Sequence, residues 1–181
     1  MRALRIKNKV LSLDSVDKPS PRKDECLIRV TCAGICATDL EIVRGYAAFE
    51  GTLGHEFVGV VEMGDPSLVG ERVVGDINCP CHECAWCQRG QGHHCPNRTV
   101  LGIVDRCGSF AEYLCLPTSN LVVIPAHVPD EMAVFAEPLA AALRIHEQVN
   151  LTAVGSALVV GDGRLGLLIA MALGSAGVAT T

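Results

Sequence analysis

Four cysteines stand as Cys81-x2-Cys84-x2-Cys87-x7-Cys95, a spacing that wraps one short loop around one metal ion. Two-residue gaps turn successive thiolates toward a common centre, and the longer excursion brings in the fourth corner of a tetrahedron, each sulfur about 2.3 Å from a zinc ion. Other readings compete. Disulfides belong to small secreted domains, and Met1-Arg2-Ala3-Leu4-Arg5-Ile6-Lys7 shows no apolar signal region behind its charges. An iron–sulfur cluster is suggested by the three close cysteines and Cys95-Pro96, but the last gap is seven residues instead of three, and no second run exists for a two-cluster ferredoxin. Unligated core thiols fit poorly with a loop that also carries His82, Glu83, Gln88, Arg89, His93 and His94. The spacing favours a structural zinc closed by four thiolates.

A chain of 181 residues holds one ordinary domain, or one and the start of another. Hydrophobic content of 49% suffices for a core, while a net charge of −5 and the lack of a basic stripe argue against a nucleic-acid partner. The longest uncharged, mainly apolar stretch, residues 165–178, is too short to cross a bilayer. The expectation is a soluble, cytoplasmic protein with no membrane partner.

Residues 26–32 alternate in polarity with period two, and apolar bursts follow at 57–61, 73–74, 113–116 and 121–124, punctuated by glycine, proline or acidic residues. Residues 1 to about 130 therefore read as mainly β, a small barrel or sandwich with the cysteine loop (about 79–98) projecting as a lobe. Cys26, Cys32, Cys107 and Cys115 read as small core or strand residues. Pro138 is expected to open a helix over 139–149. An apolar strand at 157–160 leads into Gly161-Asp162-Gly163-Arg164-Leu165-Gly166 and a helix over 165–173.

Strand, Gly-x-Gly-x-x-Gly, helix is the context of a dinucleotide-binding turn, in which backbone approaches a pyrophosphate lying at a helix N-terminus. Gly161, Gly163, Arg164, Leu165 and Gly166 are the candidate cofactor-binding residues. The acidic residue expected about 20 positions on to hold the ribose is missing, since no Asp or Glu follows Asp162. The division expected is 1–150 for the first domain and 151–181 for an incomplete Rossmann start.

Upstream, Gly34-Ile35-Cys36-Ala37-Thr38-Asp39 and Gly54-His55-Glu56 place a thiol, an imidazole and a carboxylate close together, and Ala136-Glu137-Pro138-Leu139 adds a carboxylate at a helix start. Singly, each has an ordinary explanation as a core thiol, a buried histidine, a surface charge or a helix-dipole partner. With a cysteine-rich loop and a nucleotide turn they cease to look independent. In order, these motifs resemble the zinc-dependent medium-chain dehydrogenase/reductase family, the alcohol and polyol dehydrogenase group.

That resemblance implies a GroES-like β-barrel catalytic domain followed by the first β-α unit of a Rossmann domain. It implies two zinc ions, one in the four-cysteine lobe and one catalytic, and NAD or NADP as coenzyme. Cys36 and His55 would ligate the catalytic zinc, Glu137 would stand where alcohol dehydrogenases have a second cysteine, and Glu56 would ligate directly or transiently. Thr38 would pass the alcohol proton outward, and Asp39 would hold the liganding histidine. The implied reaction is hydride transfer from a small alcohol, polyol or sugar, by a full-length form expected to be a homo-oligomer. The length suggests a chain truncated in its coenzyme domain. The alternative is a non-catalytic zinc-binding truncated isoform or pseudoenzyme.

Overall fold

The computed structural model describes residues 1–181, which divide into two compact units, Met1–Val134 and Phe135–Thr181. In chain order the first contains β1 (Arg2–Lys7), β2 (Val10–Ser15), β3 (Glu25–Gly34), α1 (Ala37–Arg44), β4 (Gly51–Thr52), β5 (Glu56–Met63) and β6 (Arg72–Gly75). It continues with β7 (Asn78–Cys79), α2 (Ala85–Gln88), β8 (Thr99–Leu101), β9 (Asp105–Arg106), β10 (Tyr113–Pro117), β11 (Leu121–Val123) and α3 (Asp130–Ala133).

The five expected apolar bursts became the five strands of one sheet, in the order β10-β3-β5-β6-β11. Every neighbouring pair is antiparallel. β3 sits between two partners, so its first residues are buried on both faces while the rest alternate. Ile28, Val61, Val73, Leu114 and Leu116 interlock in the core above it. A second sheet, β2-β1-β4, begins with a hairpin the apolar pattern did not announce. Its turn residues, Asn8 and Lys9, both adopt positive φ (49° and 62°), the conformation that lets two-residue turns match strand twist. Cys26 belongs to the core, but Cys107 is exposed, contrary to the reading of it as a core or strand residue. It lies between β9 and β10, where no strand carries it inward.

β7 and β8 pair at Asn78↔Val100 and Cys79↔Thr99, and this short ladder is the neck from which the cysteine lobe projects. Below it Arg106 Nη1 donates to Glu25 Oε1 (2.8 Å) and to the Cys115 carbonyl (3.1 Å). Burial alone would push the Glu25 carboxyl up. The Arg106 guanidinium and the Arg22 N–H outweigh it and hold the carboxyl below its usual range.

The second unit contains α4 (Ala136–Leu143), α5 (Ile145–Gln148), β12 (Ser156–Ala157), α6 (Arg164–Ser175) and β13 (Ala179–Thr180). β12 and β13 are parallel, and the Val159 N–H continues their ladder to the Thr181 carbonyl (2.8 Å). The strand expected at 157–160 is thus shorter as a regular element, Ser156–Ala157, paired with the equally short β13. The helix expected from Pro138 starts two residues earlier, with Pro138 in its first turn, where the missing N–H costs nothing. It breaks at Arg144 into α4 and α5. No helix is long and apolar enough to cross a membrane.

Two outcomes follow. Ile28→Ala, at a fully buried position, should lower unfolding free energy by about 2–5 kcal/mol in denaturant titrations. Because the Glu25 pKa is lowered on folding, its contribution is present above the ordinary carboxylate range and lost as pH falls through the lowered folded-state value. In Glu25→Gln that part of the acid sensitivity should vanish from unfolding curves collected down the pH scale.

Candidate functional site

In the lobe, Cys84 immediately precedes α2, Cys87 lies within it, and Cys95 follows a short 3-10 turn at Gly92–His94. The sulfurs stand 3.5 Å apart for Cys84–Cys87 and for Cys81–Cys95, 3.8 Å for Cys84–Cys95 and 3.9 Å for Cys81–Cys87. A tetrahedron with metal–sulfur bonds of about 2.3 Å has edges of about 3.8 Å, so these separations suit one zinc ion. A disulfide would need about 2.05 Å, and all ten cysteines are free. Two of these thiols are drawn in opposite directions. Backbone N–H groups of Glu83 and Cys84, with the Cys95 thiol, draw Cys81 down to about 6, whereas burial and the neighbouring sulfurs push Cys87 up to about 12.

The His93 and His94 rings lie 4.2 Å apart, tilted by 53°, and Trp86 lies 5.4 Å from His94. None of them joins the four-sulfur group. Cys79 is also outside it. This thiol is buried, donates to the Ile77 carbonyl (3.8 Å) and is pushed up by burial.

The second cluster forms where two strands and a helix meet. Gly34, the last residue of β3, is the direct partner of Glu56, the first of β5. Cys36 precedes α1 as its N-cap, and His55 ends the loop entering β5. One potential ligand atom from each of Cys36, His55 and Glu56 falls within 4.8 Å of the others. His55 and Glu56 are buried, at 3% and 9% exposure.

Asp39 ties this cluster together. Its Oδ2 accepts the Cys36 N–H (2.9 Å) and its Oδ1 accepts the Gly54 N–H (3.2 Å). The same Oδ1 lies 3.3 Å from His55 Nδ1, near enough for charge attraction but outside hydrogen-bond geometry, which leaves Nδ1 a buried nitrogen with no hydrogen-bond partner. Burial works against a charged imidazole here. Asp39 and Cys36 more than offset it and hold the His55 pKa up at about 9. A half-buried thiol, a buried imidazole and a buried carboxylate, with the Asp39 carboxylate facing His55 Nδ1, suit the donor chemistry of an open zinc site. Thr38 is half-buried, and its Oγ1 accepts from Cys36 Sγ at 3.6 Å. Sequence motifs gave each residue separately. The Asp39–Gly54 bond that joins the two motifs has no sequence signature.

The remaining candidates lie in the second unit. Glu137 is in the first turn of α4. Gly161 has φ of 113°, Gly163 caps α6, and Arg164 and Leu165 open its first turn. A Cβ on Gly166 would overlap the Gly161 carbonyl oxygen, so the helix can close on the turn only with glycine there.

Residues 22–126 match the family described as Alcohol dehydrogenase GroES-like domain. The chain belongs to this family, within the zinc-dependent medium-chain alcohol and polyol dehydrogenases. It is 38% identical to an erythritol/L-threitol dehydrogenase of Mycolicibacterium smegmatis, covering 86% of this chain and 49% of that protein. It is 39% identical to an L-threonine 3-dehydrogenase of Sinorhizobium medicae, covering 89% and 49% respectively. The chain therefore spans about half the length of these curated relatives. Among solved structures, a candidate zinc-binding dehydrogenase from Sinorhizobium meliloti 1021 bound to NADP superposes with a TM-score of 0.89 at 33% identity, covering 98% of this chain and 54% of that one.

The two clusters should respond separately. Cys84→Ser should remove one metal equivalent per chain in elemental analysis. Asp39→Asn should keep that equivalent and weaken the other site by about 10–100-fold, read by chelator competition.

Proposed function

We propose that this chain is the catalytic part of a zinc-dependent alcohol or polyol dehydrogenase that transfers hydride from a CH–OH carbon to NAD or NADP. The observation that carries the reading is the Cys36–His55–Glu56 group, half-buried at the thiol and buried at the other two residues, backed by Asp39. In this reading Cys36 and His55 are zinc ligands, Glu137 completes the set, and Glu56 ligates directly or transiently. The lobe thiolates Cys81, Cys84, Cys87 and Cys95 hold a second, structural zinc.

Cys36, His55, Glu56 and Glu137 would hold the zinc, which would supply Lewis acidity toward a substrate hydroxyl. The side chains supply the rest. Asp39 holds the His55 ring in one orientation. Thr38 would take the hydroxyl proton and pass it outward; a nicotinamide held at the glycine-rich turn would supply the hydride acceptor, chemistry that is the coenzyme's own. The turn at Gly161, Gly163 and Gly166 would admit backbone close to a coenzyme pyrophosphate, and Arg164 and Leu165 open the helix whose N-terminus would meet it. The carboxylates Glu56 and Glu137 give a harder donor set than a second thiolate would. That suits a hydroxyl-rich substrate, as do relatives named for erythritol, threitol and threonine. Ten free cysteines fit a reducing, cytoplasmic setting, and we infer a homo-oligomeric whole protein.

The test is NAD(P)H formation by the whole protein with four-carbon polyols, threonine and simple secondary alcohols. Thr38→Val should lower kcat by about 10²–10⁴ at neutral pH, the usual worth of a positioned proton-transfer group. Cys36→Ser and His55→Ala should abolish turnover while leaving the lobe metal bound. Wild-type rates in the His55→Ala variant would contradict the assignment.

A further inference from the structure

Directly opposed residues of an antiparallel pair point their side chains to the same face, with Cβ atoms about 4.5–5.5 Å apart. At the mouth of the Cys36–His55–Glu56 cluster one member of such a pair, Gly34, has no side chain. Its partner fills the space. A Cβ built on Gly34 would overlap Glu56 Oε2 and stand 3.0 Å from Glu56 Cβ and 3.2 Å from Glu56 Cδ. These three nearest atoms all belong to Glu56. Gly34 is also absent from the residues with positive φ, so the backbone itself does not demand glycine at this position. The first group an added methyl would displace is the Glu56 side chain.

We propose that Gly34 is the positioning residue that keeps the Glu56 carboxylate in the metal-binding group. The vacancy at 34 lets the carboxylate lie across the end of β3, within reach of Cys36 two residues on and of the neighbouring His55. Any side chain at 34 evicts it and leaves a thiol and an imidazole, a less anionic and softer donor set. Gly34 thereby decides whether this half of the site offers two donors or three. The inference rests on the metal-site reading given above.

The experiment loads the 181-residue chain with cobalt(II) and measures stoichiometry, chelator competition and the visible ligand-field spectrum. It compares wild type, Gly34→Ala, Glu56→Ala and the double variant. Each single substitution should weaken cobalt binding at the Cys36 site by about 10–100-fold and shift its spectrum in the same way. The double variant should be no weaker than either single one, because the Gly34 substitution acts only through Glu56. The four-thiolate cobalt signature of the lobe should stay constant throughout. A wild-type spectrum and affinity in Gly34→Ala would overturn the inference, as would losses that add in the double variant. If Gly34→Ala fails to fold, removal of the Glu56 side chain in the double variant should restore folding, and failure to do so also overturns it. Uptake of a single cobalt by wild type would instead sink the underlying metal-site reading, an outcome distinct from any pattern among the variants.

Discussion

Asp39, 2% exposed, spends its two carboxylate oxygens on two segments, the start of its own helix and the loop at Gly54 and His55. One oxygen fastens the first turn of α1 through the Cys36 N–H, and the other fastens the loop before β5 through the Gly54 N–H while facing the His55 ring. A buried carboxylate without such partners would be costly. Here the desolvation is offset by two N–H donors and a nearby imidazole, and the same bonds bring a thiol and a ring nitrogen into one small volume. Apart from this tie, α1 and the β5 entry are joined by the sheet and by the apolar cluster of Ile6, Ile42, Phe49 and Leu53.

The sheet supplies the other coordinates. The β3–β5 register sets Gly34 against Glu56, so a carboxylate arrives beside the thiol as a consequence of strand pairing. The lobe is built differently. Its four sulfurs come from 15 successive residues, and the β7–β8 neck anchors both ends of the excursion to the core. One site is therefore local and closed by its own loop, whereas the other is assembled from strand ends and depends on the whole first unit being folded. That difference matches their proposed roles, since a closed tetrathiolate stabilises a loop and a site at the mouth of a sheet leaves room for a ligand from outside.

Legibility in the sequence followed the range of the interaction. The lobe could be read from spacing alone, because a chelate closing within a few residues leaves its geometry in the chain. The five strands of the larger sheet showed in their apolar bursts, since each buries a face. The β1–β2 hairpin did not, because Asn8-Lys9 lacks the glycine that usually marks such a turn, and β4 is too short for periodicity to register. At the cluster, the residues themselves were nameable from motifs. What could not be read was the Asp39–Gly54 bond and the vacancy at Gly34, because both depend on which residues the β3–β5 ladder sets opposite one another.

On the proposed function, one short polypeptide carries two zinc sites of different character, one local and one assembled by the fold. Elemental analysis of protein purified without added metal, with zinc and iron read together, addresses it most directly. The account predicts two zinc ions per chain and no iron. A single zinc, retained when Cys36 or His55 is replaced, would mean that the assembled cluster is not a metal site, and iron accompanied by sulfide would contradict the account of the lobe as well.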